Sequence, residues 1–537
     1  MNKSLSVLLM TSKAWIGRNV APALGLYRLK NCLTKSGFRC DILDFDIRSE
    51  DDYLKRISLG EYDVIGMSAT HDNMSADLDT LWRFRVESAK TGKRCIFVAG
   101  GQQPSLNYKQ WLLSGAVDMV FLGFAEEALD SFCRRLSQLR NKVDFTLEDA
   151  AEGINGIAFI DRGGKAVCKP SPVLTQEKFR KLSFLNIMDS DIPYKEYWDI
   201  ARRQRINVFN NAEFVVETVR LYTTSHCPRR CGFCSSQSFL PQSQDKASTI
   251  YMLSADEVFE LVLNCIDRYG AMGVLFNDDD FPVGNQAGIE RISRFCGLII
   301  DAKKEGRVPK EMKFFCQARV ADFIDRDRTV REDLISLMKK AGFHNIGLGV
   351  ETFSERLMCL PSINKMGINV SDCRRVIDSL LKSGFVTQLF LILGIPDSTL
   401  DDLLKTMRVA ADYICKGADI AVVPKMYAYP GSPISVSGDY PVCIREWKNP
   451  YNGRVTEIAD YFIPHDKTIT LVIDRVKSVT EEVVEEIKKE RGWDKSLIPG
   501  SLVGLAIFIA IARLIDRKDM ADDFKGVMNL MLDREAR

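Results

Sequence analysis

The residues best suited to chemistry stand in one short stretch, Cys227-Pro228-Arg229-Arg230-Cys231-Gly232-Phe233-Cys234, which places three thiols within eight residues. The spacing C-x-x-x-C-x-x-C lets one loop ligate three irons of a four-iron, four-sulfur cluster and leaves the fourth iron without a thiolate from this motif. An iron left open can bind substrate or cofactor. Structural zinc is the first competitor, but such a site usually has four ligands in paired knuckles, and no second pair lies nearby. Buried structural cysteines are the other alternative, since the chain carries fifteen cysteines and free cysteine is often simply packed away. A β-like run over 219–223 leads into the motif, and Pro228 and Gly232 mark it as a loop, which favours the cluster.

Phe233 is an aromatic residue just before the last cysteine. With Cys227, Cys231 and Cys234 it resembles the signature of radical S-adenosylmethionine enzymes. The resemblance implies a [4Fe-4S] cluster on these three cysteines, with the open iron chelating the amino and carboxylate groups of S-adenosyl-L-methionine. It also implies that an electron from the cluster cleaves the sulfonium to a 5′-deoxyadenosyl radical, and that a reductant such as flavodoxin or ferredoxin supplies that electron.

Around this loop, six β-runs with helices between them are expected at 218–223, 274–277, 313–317, 346–350, 388–393 and 421–426, which implies a partial (β/α)6 barrel. Ser254-Ala255-Asp256-Glu257 reads as a capping box that opens the first intervening helix. Barrels of this type gather their active sites at the carboxyl ends of the strands. There the second run ends in Asn277-Asp278-Asp279-Asp280-Phe281, an acidic cluster able to receive an ammonium or to form a solvated turn. Asp278, Asp279 and Phe281 match the D-D-x-F segment of the cobalamin-dependent subgroup. Arg319 closes the third run; a guanidinium holds a carboxylate bidentately, and the resemblance assigns it the methionine carboxylate, against the alternative of a surface arginine. Gly349 and Glu351 resemble the family's G-x-E-S segment, and Gly394 and Pro396 its G-x-P-G-E-T. Asp397 and Ser398 stand where the usual Gly-Glu would be, which weakens any adenine contact from that loop. Tyr429-Pro430-Gly431-Ser432-Pro433 closes the sixth unit as Y-P-G-T-P does in relatives.

Ahead of the barrel, apolar runs at 5–10, 40–45, 64–68, 95–99 and 119–122 alternate with helix-length segments, beginning near 21–35. This pattern predicts a parallel, doubly wound, Rossmann-like sheet whose ligand lies outside the carboxyl ends of its strands. The loops there are Thr11-Ser12-Lys13, Thr70-His71-Asp72-Asn73, Gly100-Gly101-Gln102-Gln103-Pro104-Ser105 and Gly123-Phe124-Ala125-Glu126-Glu127. Gly100, Gly101, Pro104, Ser105, Gly123 and Glu126 resemble the GG-x-x-P-S and G-x-x-E loops of the cobalamin-binding domain that precedes many radical S-adenosylmethionine cores. None of the four histidines lies in a D-x-H-x-x-G motif, so cobalamin is expected with its base displaced and no histidine from that motif. Thr70 and His71 lie in the loop after the third strand, where His71 either approaches the lower face of the corrin or hydrogen-bonds locally. A flavodoxin-like domain without cobalamin is the alternative.

These readings divide the chain into a cobalamin-binding domain (1–150), a hairpin and linker (151–215), the barrel (216–435) and a C-terminal helical cap (436–537). At 537 residues the chain is too long for one ordinary core. With 73 basic against 72 acidic residues, the charge balance gives no sign of nucleic-acid binding. Fifteen scattered cysteines and no evident signal peptide point to a reducing cytoplasm. The longest apolar run, 502–512, is shorter than the ~20 residues a spanning helix needs; it reads as a buried helix, with membrane-surface contact the lesser alternative. The expected activity is cobalamin-dependent C-methylation of an unactivated carbon, after hydrogen abstraction by the 5′-deoxyadenosyl radical. A non-methylating rearrangement or cyclisation, and a cofactor sensor without turnover, are the rivals. The substrate, a small molecule or a peptide or protein side chain, is not specified by these motifs.

Overall fold

The computed structural model describes residues 5–12, 20–70, 73–139, 145–204, 217–491 and 500–535. Five parallel strands, β1 (Ser6–Thr11), β2 (Arg39–Leu43), β3 (Val64–Ser68), β4 (Ile96–Gly100) and β5 (Met119–Phe121), form the first sheet in the order β2-β1-β3-β4-β5. Successive side chains of a strand point to opposite faces, and in β1 Val7 and Leu9 enter one apolar cluster while Leu8 and Met10 enter another. Both faces must therefore be covered. Helices Leu24–Lys35 and Glu126–Leu139 cover the first, and Glu50–Ser58 and Met74–Ala89 the second. The expected hairpin is β6 (Ile157–Ile160) with β7 (Ala166–Lys169); it extends this sheet, because β6 pairs antiparallel to β5.

The segment expected as an aperiodic linker is largely helical where described, with Gln176–Arg180, a π-helical turn Lys181–Leu185, Asn186–Asp189 and Tyr194–Gln204. These pieces are too short to show a period. They form because Phe179, Phe184, Tyr194, Tyr197 and Trp198 are buried between the two sheets, and packing supplies most of the stability of a short helix.

The second sheet contains β8 (Thr218–Leu221), β9 (Gly273–Phe276), β10 (Lys313–Arg319), β11 (Phe343–Glu351), β12 (Val386–Ile392) and β13 (Asp419–Val423). All neighbours are parallel, and spatial order follows chain order from β8 to β13. The Ser254–Glu257 capping box is formed, with Ser254 Oγ accepting from Glu257 N at 3.2 Å and Glu257 Oε2 accepting from Ser254 N at 2.8 Å. An open sheet leaves two edges that must be blunted. At β8, Trp198 Nε1 donates to Thr218 O at 3.0 Å, and Arg220 N donates to Tyr194 OH at 3.4 Å. At β13, helix Gly500–Leu514 lies across the edge, where Ser501 Oγ accepts from Ile420 N at 3.0 Å and donates to Asp419 Oδ1 at 2.8 Å. The apolar run 502–512 is thus buried as core, and among the described residues no helix is long and apolar enough to cross a membrane.

The C-terminal region has the expected helices, Lys467–Arg491, Gly500–Leu514 and Lys518–Glu535, and before them an antiparallel hairpin that the sequence reading missed, β14 (Val442–Lys448) and β15 (Val455–Phe462). Its alternation is blurred, because Ile444 and Val455 point outward among charged residues while Trp447 and Ile458 point inward and join the apolar cluster of the first sheet. Trp447 Nε1 donates to Asp79 Oδ1 at 2.9 Å, and Tyr451 stacks on Trp82 with ring centroids 6.2 Å apart. The hairpin thereby straps the barrel to helix Met74–Ala89. Trp447→Ala is expected to cost about 3 kcal/mol, seen as a lower first thermal transition and faster proteolytic cutting beside the hairpin.

Candidate active site between the two sheets

The cysteine loop leaves the end of β8 through Thr223 and Thr224, and the buried Asp278 holds both. Asp278 accepts from the backbone N–H and the hydroxyl of each threonine at 2.5–2.8 Å. On the far side the loop rests on residues 361–364. Gly232 N donates to Ile363 O at 3.1 Å, Asn364 Nδ2 donates to Arg230 O at 2.5 Å, and Gly232 O accepts from Ile434 N at 3.2 Å. A Cβ on Gly232 would lie 1.8 Å from Pro361 O, so this glycine is required by space. Arg229 tethers the remaining side: it donates to Val283 O, and its guanidinium lies 3.5 Å from Asp280 and 4.0 Å from Asp322.

Cys227, Cys231 and Cys234 are half-buried and unpaired. Burial pushes all three thiols up, Cys234 to about 12. Bound metal would reverse that, since metal charge deprotonates a coordinating thiol outright. Three thiols carried on one loop are the donor set that ligates three irons of a four-iron, four-sulfur cluster. Ser236 N donates to Cys234 Sγ at 3.4 Å, one of the hydrogen bonds to sulfur by which such clusters are tuned.

The other strand ends divide into groups that face the cavity and groups that brace it. Asp279 lines the cavity and accepts from Ser236 Oγ; burial raises its carboxyl above the usual range. Asp278 also touches the cavity, but its carboxylate is occupied by Thr223 and Thr224. Phe281 is not brought to the cavity. Its ring is 1 % exposed, stacked 4.1 Å from Phe276, with the Arg291 guanidinium 5.0 Å from its centroid. Asp278 and Phe281 thus brace the strand end, with their polar or aromatic faces engaged by Thr223, Thr224, Phe276 and Arg291. Gly394 braces too, since a Cβ there would lie 2.6 Å from Pro424 O, and Pro396 O accepts from His465 N at 2.9 Å. Asp397 accepts from Ser362 Oγ at 2.5 Å and from Tyr440 OH at 3.0 Å, which fixes the shelf under the cysteine loop.

Arg319 ends β10 directly opposite Gly349 of β11. Its backbone N donates to Asp322 Oδ2 at 2.6 Å, while its Nε is buried without a hydrogen-bond partner among the described residues. A bound carboxylate would satisfy such an orphan. Glu351 sits at φ +67°, beyond a register shift after Gly349. That irregularity aims its carboxylate at Lys365 Nζ, 2.9 Å away, and Lys365 also donates to Gly349 O. Lys365, Ser236 and Asp322 were missed in the sequence reading. They lie outside the motifs, Ser236 opening the helix Ser236–Gln244 and Asp322 in the helical turn Val320–Phe323, and only Ser236, two residues beyond the last cysteine, had positional signal.

The carboxyl ends of both sheets open on one cavity of about 480 Å³, lined by Thr11, Thr70 and Gly101 on the first side and Tyr222, Asn277 and Asp279 on the second. A slot of about 170 Å³ continues between the first sheet and helices Leu24–Lys35 and Glu126–Leu139, lined by Gly100, Gly101, Gly123 and Glu126. Gly101 has φ +102°, and a Cβ there would meet Ala69 O at 2.5 Å. Ser105 Oγ accepts from Gly123 N at 3.1 Å, tying the two glycine loops together, and Pro104 lies in the short helix Gln102–Leu106 between them. Glu126 pairs with the buried Arg28, leaving Glu126 Oε2 and Arg28 Nε unsatisfied. Gly66 widens the same slot from mid-strand, a contribution the loop motifs did not signal. The slot's narrow, glycine-lined form and orphaned polar atoms suit the amide- and phosphate-bearing tail of a cobalamin. His71 lies outside the described residues.

Residues 18–132 match the B12 binding domain family, and residues 221–410 match the radical SAM superfamily. The chain is a radical SAM enzyme with a B12 binding domain. Its cofactors are accordingly a [4Fe-4S] cluster, S-adenosyl-L-methionine and cobalamin. It is 23 % identical over 477 residues to cytidylyl-2-hydroxyethylphosphonate methyltransferase of Streptomyces wedmorensis, covering 82 % of each chain. It is 24 % identical over 387 residues to the anaerobic magnesium-protoporphyrin IX monomethyl ester cyclase of Rubrivivax gelatinosus, covering 71 % of this chain and 60 % of that protein. The radical S-adenosylmethionine methyltransferase TsrM from Kitasatospora setae, with tryptophan and a S-adenosylmethionine analogue bound, shares the fold at TM-score 0.61 and 15 % identity, over 89 % of this chain and 88 % of that one. The cobalamin-dependent enzyme OxsB with aqua-cobalamin does so at TM-score 0.66 and 14 % identity, over 99 % and 81 %.

In anaerobically reconstituted protein, Cys231→Ala is expected to abolish the cluster's visible absorption and adenosyl cleavage while the first sheet stays folded. Iron held at about four per chain would argue against this ligand set. Asp278→Ala strands two buried backbone donors and is expected to cost at least about 3 kcal/mol and to lower iron retention, read by iron analysis after desalting.

Proposed function

We propose that this enzyme is a C-methyltransferase that moves a methyl group from cobalamin to an unactivated carbon. The observation that carries the reading is the cavity lined by loops at the carboxyl ends of both sheets. A substrate there would stand between corrin and adenosyl group. The methyltransferase relative that aligns over 82 % of each chain supports it. When bound, the three cofactors supply the radical and the methyl group; the protein supplies position and exclusion of water.

In this reading Cys227, Cys231 and Cys234 hold the cluster, and Arg319 holds the methionine carboxylate of S-adenosylmethionine through the fork whose Nε lacks a partner. Asp279, Gly349 and Glu351 border the same cofactor, with Gly394 and Pro396 shaping the floor behind it. Thr70, Gly100, Gly101, Pro104, Ser105, Gly123 and Glu126 form the cobalamin cradle. The functional division follows: 1–150 for cobalamin, 151–215 as connector, 216–435 for the cluster and S-adenosylmethionine, and 436–537 as a cap that starts with the strapping hairpin. Fifteen cysteines, none of them in a disulfide among the described residues, fit a reducing cytoplasm, where flavodoxin or ferredoxin would be the electron donor.

A second reading, a cyclisation or other radical transformation without methyl transfer, is favoured by the cyclase relative, which aligns over 71 % of this chain. Product mass separates the two. With candidate substrates, reductant and methyl-labelled S-adenosylmethionine, the methyltransferase yields a product carrying the labelled methyl together with 5′-deoxyadenosine. Release of 5′-deoxyadenosine with an unlabelled product would favour the second reading. Arg319→Ala is expected to weaken S-adenosylmethionine binding at least about tenfold, the worth of a lost charge-assisted pair, with iron content unchanged; equilibrium binding measures the first and iron analysis the second.

A further inference from the structure

Lys365 belongs to none of the motifs that carry the cofactor reading, yet it is 3 % exposed and paired with Glu351. A buried ion pair is a weak source of stability, because desolvating two charges offsets most of their attraction. The placement of this pair points to another role. The two residues just before Lys365 bond to the two residues that flank Cys231: Ile363 O accepts from Gly232 N, and Asn364 Nδ2 donates to Arg230 O. The ammonium itself is fixed on Gly349 O and Glu351 Oε1, at the strand end that faces Arg319. Both charges therefore sit rigidly against the loop that carries the thiols.

We propose that Lys365 and Glu351 set the reduction potential of the cluster from opposite sides, Lys365 favouring the one-electron reduced state and Glu351 disfavouring it. The low local dielectric makes such fixed charges effective, and cluster potential responds to nearby charge and burial. This rests on the [4Fe-4S] reading of Cys227, Cys231 and Cys234. Lys365 acts here as a tuning residue that touches neither substrate nor reacting atoms.

The test is an anaerobic potentiometric titration of the full chain, reconstituted with iron and sulfide and free of S-adenosylmethionine, with the reduced cluster followed by its electron paramagnetic resonance. Lys365→Met is expected to move the midpoint to more negative potential, Glu351→Gln to less negative potential, and the double variant to a value between them. Lys365→Arg, which keeps the charge, should stay near the parent value. Shifts of the two single variants in the same direction, or none, with iron content preserved, would overturn the proposal. Should Lys365→Met fail to hold iron, the Glu351→Gln and Lys365→Arg midpoints still decide it: an unmoved Glu351→Gln midpoint overturns it. A parent protein that takes up no iron and gives no signal would instead count against the cluster reading itself.

Discussion

Asp278 accepts four hydrogen bonds from Thr223 and Thr224, and the cysteine loop depends on them because they fix where it begins. Burial pushes this carboxyl above its ordinary range, while Arg291 and the threonine donors pull the other way. Arg291 donates to Thr223 Oγ1 at 3.0 Å and to Phe281 O at 2.5 Å, and its guanidinium covers the Phe281 ring. The end of β9 thus becomes one braced unit that reaches back into the aromatic core. A loop of three thiols has little packing of its own and takes its rigidity from such surroundings.

The opposite side of the loop is held by shape. Gly232 meets the backbone of Pro361 and Ser362 so closely that any side chain would displace one of them. Ser362 is in turn anchored to Asp397, in the very loop where Asp397 and Ser398 depart from the family's Gly-Glu. That departure has a local physical use: the Asp397 carboxylate gathers Ser362 and Tyr440 and secures the shelf. Shelf and brace together hold the cysteine loop beside the cavity, which its flanking residues Thr224, Ser225, His226 and Ser236 line.

The two sheets contribute to one site because the segments between and after them are committed to sheet edges and faces. Tyr194 and Trp198 cover β8, helix Gly500–Leu514 covers β13, and the Trp447 hairpin reaches across to helix Met74–Ala89. Tyr197 adds a polar tie, donating to Asp44 Oδ2 at 2.7 Å and meeting Tyr27 OH at 2.9 Å. With edges and faces so engaged, the carboxyl ends of both sheets face the shared cavity.

The sequence by itself determined what local signals encode: the cysteine spacing, the apolar runs of eleven parallel strands, the Ser254 capping box and the glycine-rich loops after β4 and β5. These depend on residues a few positions apart, so spacing and side-chain type are enough to read them. Tertiary structure alone decided which members of an acidic run face the cavity. Asp279 does so with a free edge, while Asp278 is claimed by Thr223 and Thr224, some 55 residues earlier in the chain. It also decided that Lys365 reaches Glu351, that short aromatic helices fill the expected linker, and that the alternation around Trp447 is a hairpin packed on a helix 368 residues away in sequence. Each of these depends on which distant surfaces meet, and burial and hydrogen bonding across such contacts leave no periodic trace in the chain.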